Sequence, residues 1–232
     1  MRNHTKKRPE VDLSGAKITK GAFEHCDFRG LEAHEANFKH VRFDHSDLSG
    51  GKIGCTIFDT CDMEAVNFVD TDFTSSWGIC YFDGSGVYKS DFSHANLKGC
   101  SLKCVEAEAA WFDAANLEGC DMTHFEAPQA SFKHANLKGV NLEGANLEHC
   151  NFEGADLSGA NLEGANLEHC NFKGATMRGA NLKDANLQEA NLEGADLTDS
   201  TFEDADMRGA EIHGSRINGV NFKGAIETAP PF

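Results

Sequence analysis

The chain has 232 residues, a net charge of −16, 40% hydrophobic residues, 23 glycines, four prolines and 17 phenylalanines. A disordered chain this rich in glycine would carry more proline and fewer aromatics. The acidic balance excludes direct binding to nucleic acid or to an anionic membrane surface, and no apolar run reaches membrane-spanning length.

Residues 1–10 are basic, with no apolar stretch behind them, so they do not read as a secretory leader. A cytoplasmic location is the expectation, with export as an effector through a non-hydrophobic signal as the alternative. This segment, which contains Pro9, is expected to form an N-terminal tail or cap. From Leu13 a large apolar residue then recurs every fifth position through Ile18 and Phe23 to Phe73. The frame slips at Phe73 to Trp77, a four-residue step. Trp77, Tyr81 and Tyr88 lie here, with Asp83-Gly84-Ser85-Gly86 resembling a loop, so a kink or bulge near 74–77 is expected within one domain. The five-residue frame resumes from Trp77 and runs to Phe222. Within it, residues 141–160 and 161–180 agree at 16 of 20 positions. The tail 227–232 ends in Ala229-Pro230-Pro231-Phe232, which cannot continue a strand ladder because proline lacks the donor, so a C-terminal cap is expected. Residues 11–226 are thus expected to be a single repeat domain.

The residue two before each large centre is nearly always small. Leu31 before Ala33 and Phe125 before Ala127 reverse the sizes. Size exchange at constant volume is what a close-packed interior requires, so both positions face inward and share a layer. Period five fits neither an α-helix nor a simple strand. It fits a chain that turns a corner every five residues, two inward residues straddling an outward one. Four sides close a coil of 20 residues, the length of the duplication. Coils stacked as parallel strands about 4.8 Å apart give a rod of about 11 coils, about 50 Å long.

The unit Ala, Asn or Asp, Leu or Phe, then two variable residues, as in Ala145-Asn146-Leu147 and Ala165-Asn166-Leu167, resembles the pentapeptide-repeat family over residues 11–226. The resemblance implies an all-β fold, a right-handed quadrilateral parallel β-helix.

Residues 20 apart should lie in vertical register. Phe92, Phe112, Phe132, Phe152 and Phe172 then form one stack, and Cys80, Cys100 and Cys120 a column in the small position, with Cys150 and Cys170 in another. Nine cysteines without framework spacing read as reduced small hydrophobes. In His149-Cys150 and His169-Cys170 the thiols point in and the imidazoles out, so they cannot share a metal ion. No P-loop, nucleophile elbow or zinc spacing occurs. No catalytic residue, cofactor or metal is therefore expected. Asp113, Lys133, Glu153, Lys173 and Glu193 alternate in sign along one outward column, as an ion-pair ladder would.

Two features suggest a binding surface. Glu143 lies below Glu163 and Glu148 below Glu168, an acidic patch suited to a basic partner. Tyr88 and Trp111 should face solvent as anchors, about one coil and one corner apart. The first reading is a non-enzymatic rod that binds a protein partner. The alternative comes from the resemblance. The family includes quinolone-resistance proteins whose rods resemble B-DNA and bind DNA gyrase, a type II topoisomerase. Residues 1–20 hold six basic and two acidic side chains, which leaves −20 on the remainder. B-DNA carries about 29 charges over about 50 Å, so the rod reaches roughly two-thirds of that density. The chain departs from those relatives in its short tail after Phe222 and in having no long loop, which bears on dimerisation and on gyrase binding alike.

Overall fold

The computed structural model describes residues 11–74 and 80–226. The expected caps around Pro9 and Pro230, and Trp77 as a centre, lie outside the described residues. The rest is a right-handed, four-sided parallel β-helix. Strands β1 (Lys17–Thr19), β2 (Asn37–Lys39) and β3 (Ile57–Asp59) pair in parallel, with Ile18 opposite Phe38 and Phe38 opposite Phe58. Beyond them each side holds one outward residue bridging to its equivalents in the coils below and above, as Asn136 does between Asn116 and Asp156. A side is too short for a longer strand, because a corner follows within two residues.

Local chemistry sets the corner. At Phe152 the centre carbonyl accepts from the Ala155 N–H (3.0 Å), closing a tight turn. The Asn151 side-chain oxygen accepts from the Glu153 N–H (3.0 Å), and the Asn171 amide of the next coil donates to the same oxygen (3.2 Å). Asparagine thus shapes the turn and joins the coils, whereas aspartate can only accept. Ladders of this kind run through Asn96, Asn116 and Asn136, and through Asn141, Asn161 and Asn181, each step 3.0 Å.

Two residues past each centre the backbone is left-handed. Gly154 (φ +67°) meets that requirement without strain. It also makes room, because a β-carbon there would lie 2.5 Å from Nδ1 of His134 one coil below. Histidine often takes the same position, as at His149 (φ +60°) and His169 (φ +57°), whose rings stack 4.7 Å apart.

The interior is one continuous core. We number the faces from the centres Ile18, Phe23, Phe28 and Leu13 as first, second, third and fourth. On the third face Phe92, Phe112, Phe132, Phe152 and Phe172 stack at 4.9–5.0 Å. Phe68 extends that column downward, 4.6 Å from Phe92. Leu31, Ala33, Phe125 and Ala127 are all buried, as the size reversals require.

The kink or bulge expected near 74–77 falls mostly outside the described residues, but the register on either side of it is defined. Bridges change from 20 to 24 residues at Ile57–Tyr81, Asp62–Gly86, Asn67–Asp91 and Asp72–Asn96, then return to 20 at Tyr81–Ser101. One coil therefore carries four additional residues rather than lacking one. Phe82 takes the place after Phe73, their rings 5.1 Å apart. The segment 83–86 is an ordinary corner, not a loop: Ser85 is buried, its hydroxyl donating to the Phe58 carbonyl (2.9 Å). The frame recovers because Phe82 stacks on Phe58 at 4.8 Å.

Most polar atoms in the small position donate to carbonyls. Cys120 donates to Leu97, Cys150 to Ala127 and Cys170 to Leu147, at 2.9–3.0 Å. Among the described residues no buried side-chain polar atom lacks a partner. All nine cysteines are free, six of them buried and Cys104 exposed. Burial pushes the Cys61 thiol up to about 11 and the Cys120 thiol to about 12.

Phe132→Ala should cost about 3–5 kcal/mol in chemical denaturation, since the column cannot collapse around the void. Gly154→Ala should cost about 1–2 kcal/mol for the left-handed backbone, plus displacement of the imidazole. Adding His134→Ala should recover the second part only. In native protein, maleimide should label Cys104 first and the six buried thiols only on unfolding. The raised thiol values give stability that is complete below about pH 8.5. It declines as pH rises toward 11–12, because the unfolded chain ionises first. Cys61→Ala with Cys120→Ala should flatten that decline in alkaline melts.

Candidate functional site

Ion pairs join successive coils on the first, third and fourth faces. Lys98 meets Glu118 (3.0 Å) and Lys138 meets Asp156 (3.1 Å) on the fourth face. Asp196 on that face accepts from the Thr198 hydroxyl (2.6 Å) and Arg178 (2.8 Å), which hold it well below the usual carboxylate range. Lys103 meets Asp121 (3.0 Å) and Lys223 meets Glu203 (2.9 Å) on the first. The third face carries the alternating column, where Lys173 reaches Glu193 (2.7 Å). That ladder is less complete than its sign pattern suggests. The Asp113 carboxylate is taken by the Ser131 hydroxyl and by the Lys133 backbone N–H (3.0 Å), so Lys133 provides its amide there and not its ammonium.

The second face pairs Arg42 with Glu24 (2.8 Å) lower on the rod, and at mid-length it carries unpaired acids. Its outward column runs Gly86, Glu106, Glu126, Asn146, and its corner column runs Tyr88, Glu108, Pro128, Glu148, Glu168. The carboxylates of Glu106, Glu108 and Glu126 are exposed and form no ion pair or hydrogen bond among the described residues. Lys89, on the same corner, turns to Glu64 (3.8 Å). Tyr88, Glu106, Glu108, Glu126 and Pro128 line one open depression.

Tyr88 departs from the expectation of a solvent-facing anchor. It is half-buried and folds back over Gly86, its Cε2 atom 2.8 Å from where a β-carbon on Gly86 would stand. The absent side chain is what lets the ring come this close. Trp111 is 45% exposed, on the third face between Asp91 and Ser131. It lies in the same coil as Glu106 and Glu108, so the corner between the second and third faces joins both anchors to the unpaired acids.

The four glutamates expected as a patch divide between corners. Glu148 and Glu168 share the corner column of Tyr88, whereas Glu143 and Glu163 lie on the first-face corner. Local partners relieve their repulsion. Asn181 donates to Glu163 (3.1 Å) and Asn186 to Glu168 (3.3 Å). His149 lies 3.4 Å from Glu148, and His169 lies 3.7 Å from Glu168.

Glu106, Glu108, Glu126 and Pro128 were not singled out from the sequence, although Glu106 and Glu126 are 20 apart and their shared column was readable. A second apolar spot, Ile57 (37% exposed) beside Tyr81 (41%), was hidden because the four-residue insertion separates them by 24. It lies on the first face, opposite Trp111. Among the described residues no group of three or more His, Cys, Asp or Glu could hold a metal ion, and no helix is long and apolar enough to cross a membrane.

No curated protein matches the chain. Among solved structures it is similar to HetL, a pentapeptide repeat protein involved in heterocyst differentiation regulation from the cyanobacterium Nostoc. The two are 22% identical over 94% of this chain and 90% of that one, with a TM-score of 0.38. A trypsin-treated form of QnrB1, a plasmid-mediated fluoroquinolone resistance protein, is 18% identical over 91% of each chain, with a TM-score of 0.43. Rfr23 from the cyanobacterium Cyanothece is 24% identical over 57% of this chain and 90% of that one, with a TM-score of 0.32. Two family models match directly: pentapeptide repeats (8 copies) at residues 10–50, 90–125 and 115–154, and a pentapeptide repeat region at 145–222. With most of its length matched and every described coil built on the five-residue unit, the chain belongs to the pentapeptide-repeat family.

Proposed function

We propose that the protein is a non-enzymatic recognition rod that docks a protein partner along the corner between its second and third faces. The observation that carries this reading is a cluster of exposed, unpaired acids beside two aromatic side chains. Glu106, Glu108 and Glu126 stand exposed on two consecutive coils of one face without a cation among the described residues. Tyr88 and Trp111 on the same corner add aromatic area of the kind that anchors interfaces. Stacked coils hold these groups rigidly, so docking costs little ordering entropy. The described carboxylates lie on open sides of a rod, without the desolvated cleft that acid–base chemistry requires.

The acidic total of −16 supports a second reading, a DNA-like rod taken up by a type II topoisomerase. The ion pairs on three faces dilute that resemblance, because phosphate rows carry no matching cations.

Affinity capture should separate the two. Tyr88→Ala with Trp111→Ala should lower recovery of the captured partner about tenfold relative to wild type. Glu143→Gln with Glu163→Gln, on another corner, should leave it unchanged. Undiminished capture by the aromatic double variant would remove the corner from the proposal. Inhibition of gyrase supercoiling at micromolar protein would favour the second reading, and its absence would dismiss it.

A further inference from the structure

We propose that the depression between Tyr88 and Pro128 receives an arginine side chain from an extended basic segment of the protein partner. This rests on the docking reading above and specifies its chemistry. A guanidinium is flat, always charged, and able to stack on an aromatic ring while its edge donates to carboxylates. The depression presents both elements. Tyr88 lies against Gly86, and Glu106, Glu108 and Glu126 line the same depression with carboxylates that have no partner among the described residues. Glu106 and Glu126 bridge directly, on consecutive coils about 4.8 Å apart, so their repulsion disfavours the empty site and is relieved when a cation enters.

Partner geometry follows from the coil repeat. Glu148 stands three coils above Tyr88 in the same corner column, about 14 Å along the rod. Alternate side chains of an extended strand are about 6.6 Å apart, so two such steps span that distance. An arginine seated at Tyr88 therefore places the second arginine after it, in an alternating sequence, near Glu148. A strand lying along the rod axis with arginine at every other position fits this column. A lysine can supply the charge but cannot stack as a plane on Tyr88.

The test is titration of the full-length protein with a fluorescent peptide alternating glycine and arginine, at low ionic strength, beside the matching glycine–lysine peptide. Saturable binding of the arginine peptide is expected, with the lysine peptide at least about fivefold weaker. Glu106→Gln with Glu126→Gln, and separately Tyr88→Leu, should each weaken the arginine peptide about tenfold. Glu143→Gln with Glu163→Gln should change it less than about twofold. Thermal melts confirm that each variant is folded, and the isosteric glutamine pair keeps the test valid if Tyr88→Leu unfolds. Absence of saturable binding, equal affinity for both peptides, or equal loss in the first-face variant would each overturn the assignment. If the peptide fails while partner capture still depends on Tyr88 and Trp111, the docking corner stands and only its arginine chemistry falls.

Discussion

Every coil must close on the same cross-section as the one below it, because the backbone ladder gives each residue a fixed neighbour. That interior admits two side chains per face in each layer, one large and one small. Where Phe125 fills the small position, Ala127 must fill the large one, and the same exchange links Leu31 with Ala33. Stacked phenylalanines follow from this constraint, since rings 4.9–5.0 Å apart fill a column whose repeat is set by the backbone. Small polar residues obey it too. A buried thiol or hydroxyl is accepted where a carbonyl stands within reach, as Leu97 does for Cys120.

The same register turns sequence repetition into surface pattern. A residue type repeated every 20 positions becomes a column, and its consequences depend on its chemistry. Asparagines make a ladder because each amide both donates and accepts. Acids alternating with bases make ion pairs, most of them exposed and worth about 0–1 kcal/mol each. Acids repeated without bases, as Glu106 and Glu126 are, leave a charge that only something outside the described chain can neutralise. The second face carries such a pair, and the neighbouring Tyr88 and Trp111 give it apolar area as well.

The insertion between Phe73 and Phe82 shows how strongly the core directs the ladder. Four extra residues leave the coils above and below aligned, because Phe82 stacks on Phe58 and Phe92 on Phe68. Shifting a centre out of its column would expose a large ring. The insertion also places Tyr81 over Ile57, an apolar spot that neither residue would make alone.

The coil architecture was legible in the amino-acid order because it is local and repetitive: a five-residue unit records which side chains point inward, and a 20-residue duplication records the number of sides. The Phe92 to Phe172 column and the opposite orientations of His149 and Cys150 follow from that arithmetic alone. Arithmetic fails where the spacing changes. A four-residue step from Phe73 to Trp77 looks like a deletion, and only the pairing of Ile57 with Tyr81 identifies an insertion. It also fails where a side chain chooses its own direction. Outward position predicted exposure for Tyr88, yet the ring turned onto Gly86, because the missing β-carbon there leaves it room. The sequence thus determined which residues face the core, while the tertiary structure decided which outward groups find partners, since that depends on atoms brought together by coils rather than by chain neighbours.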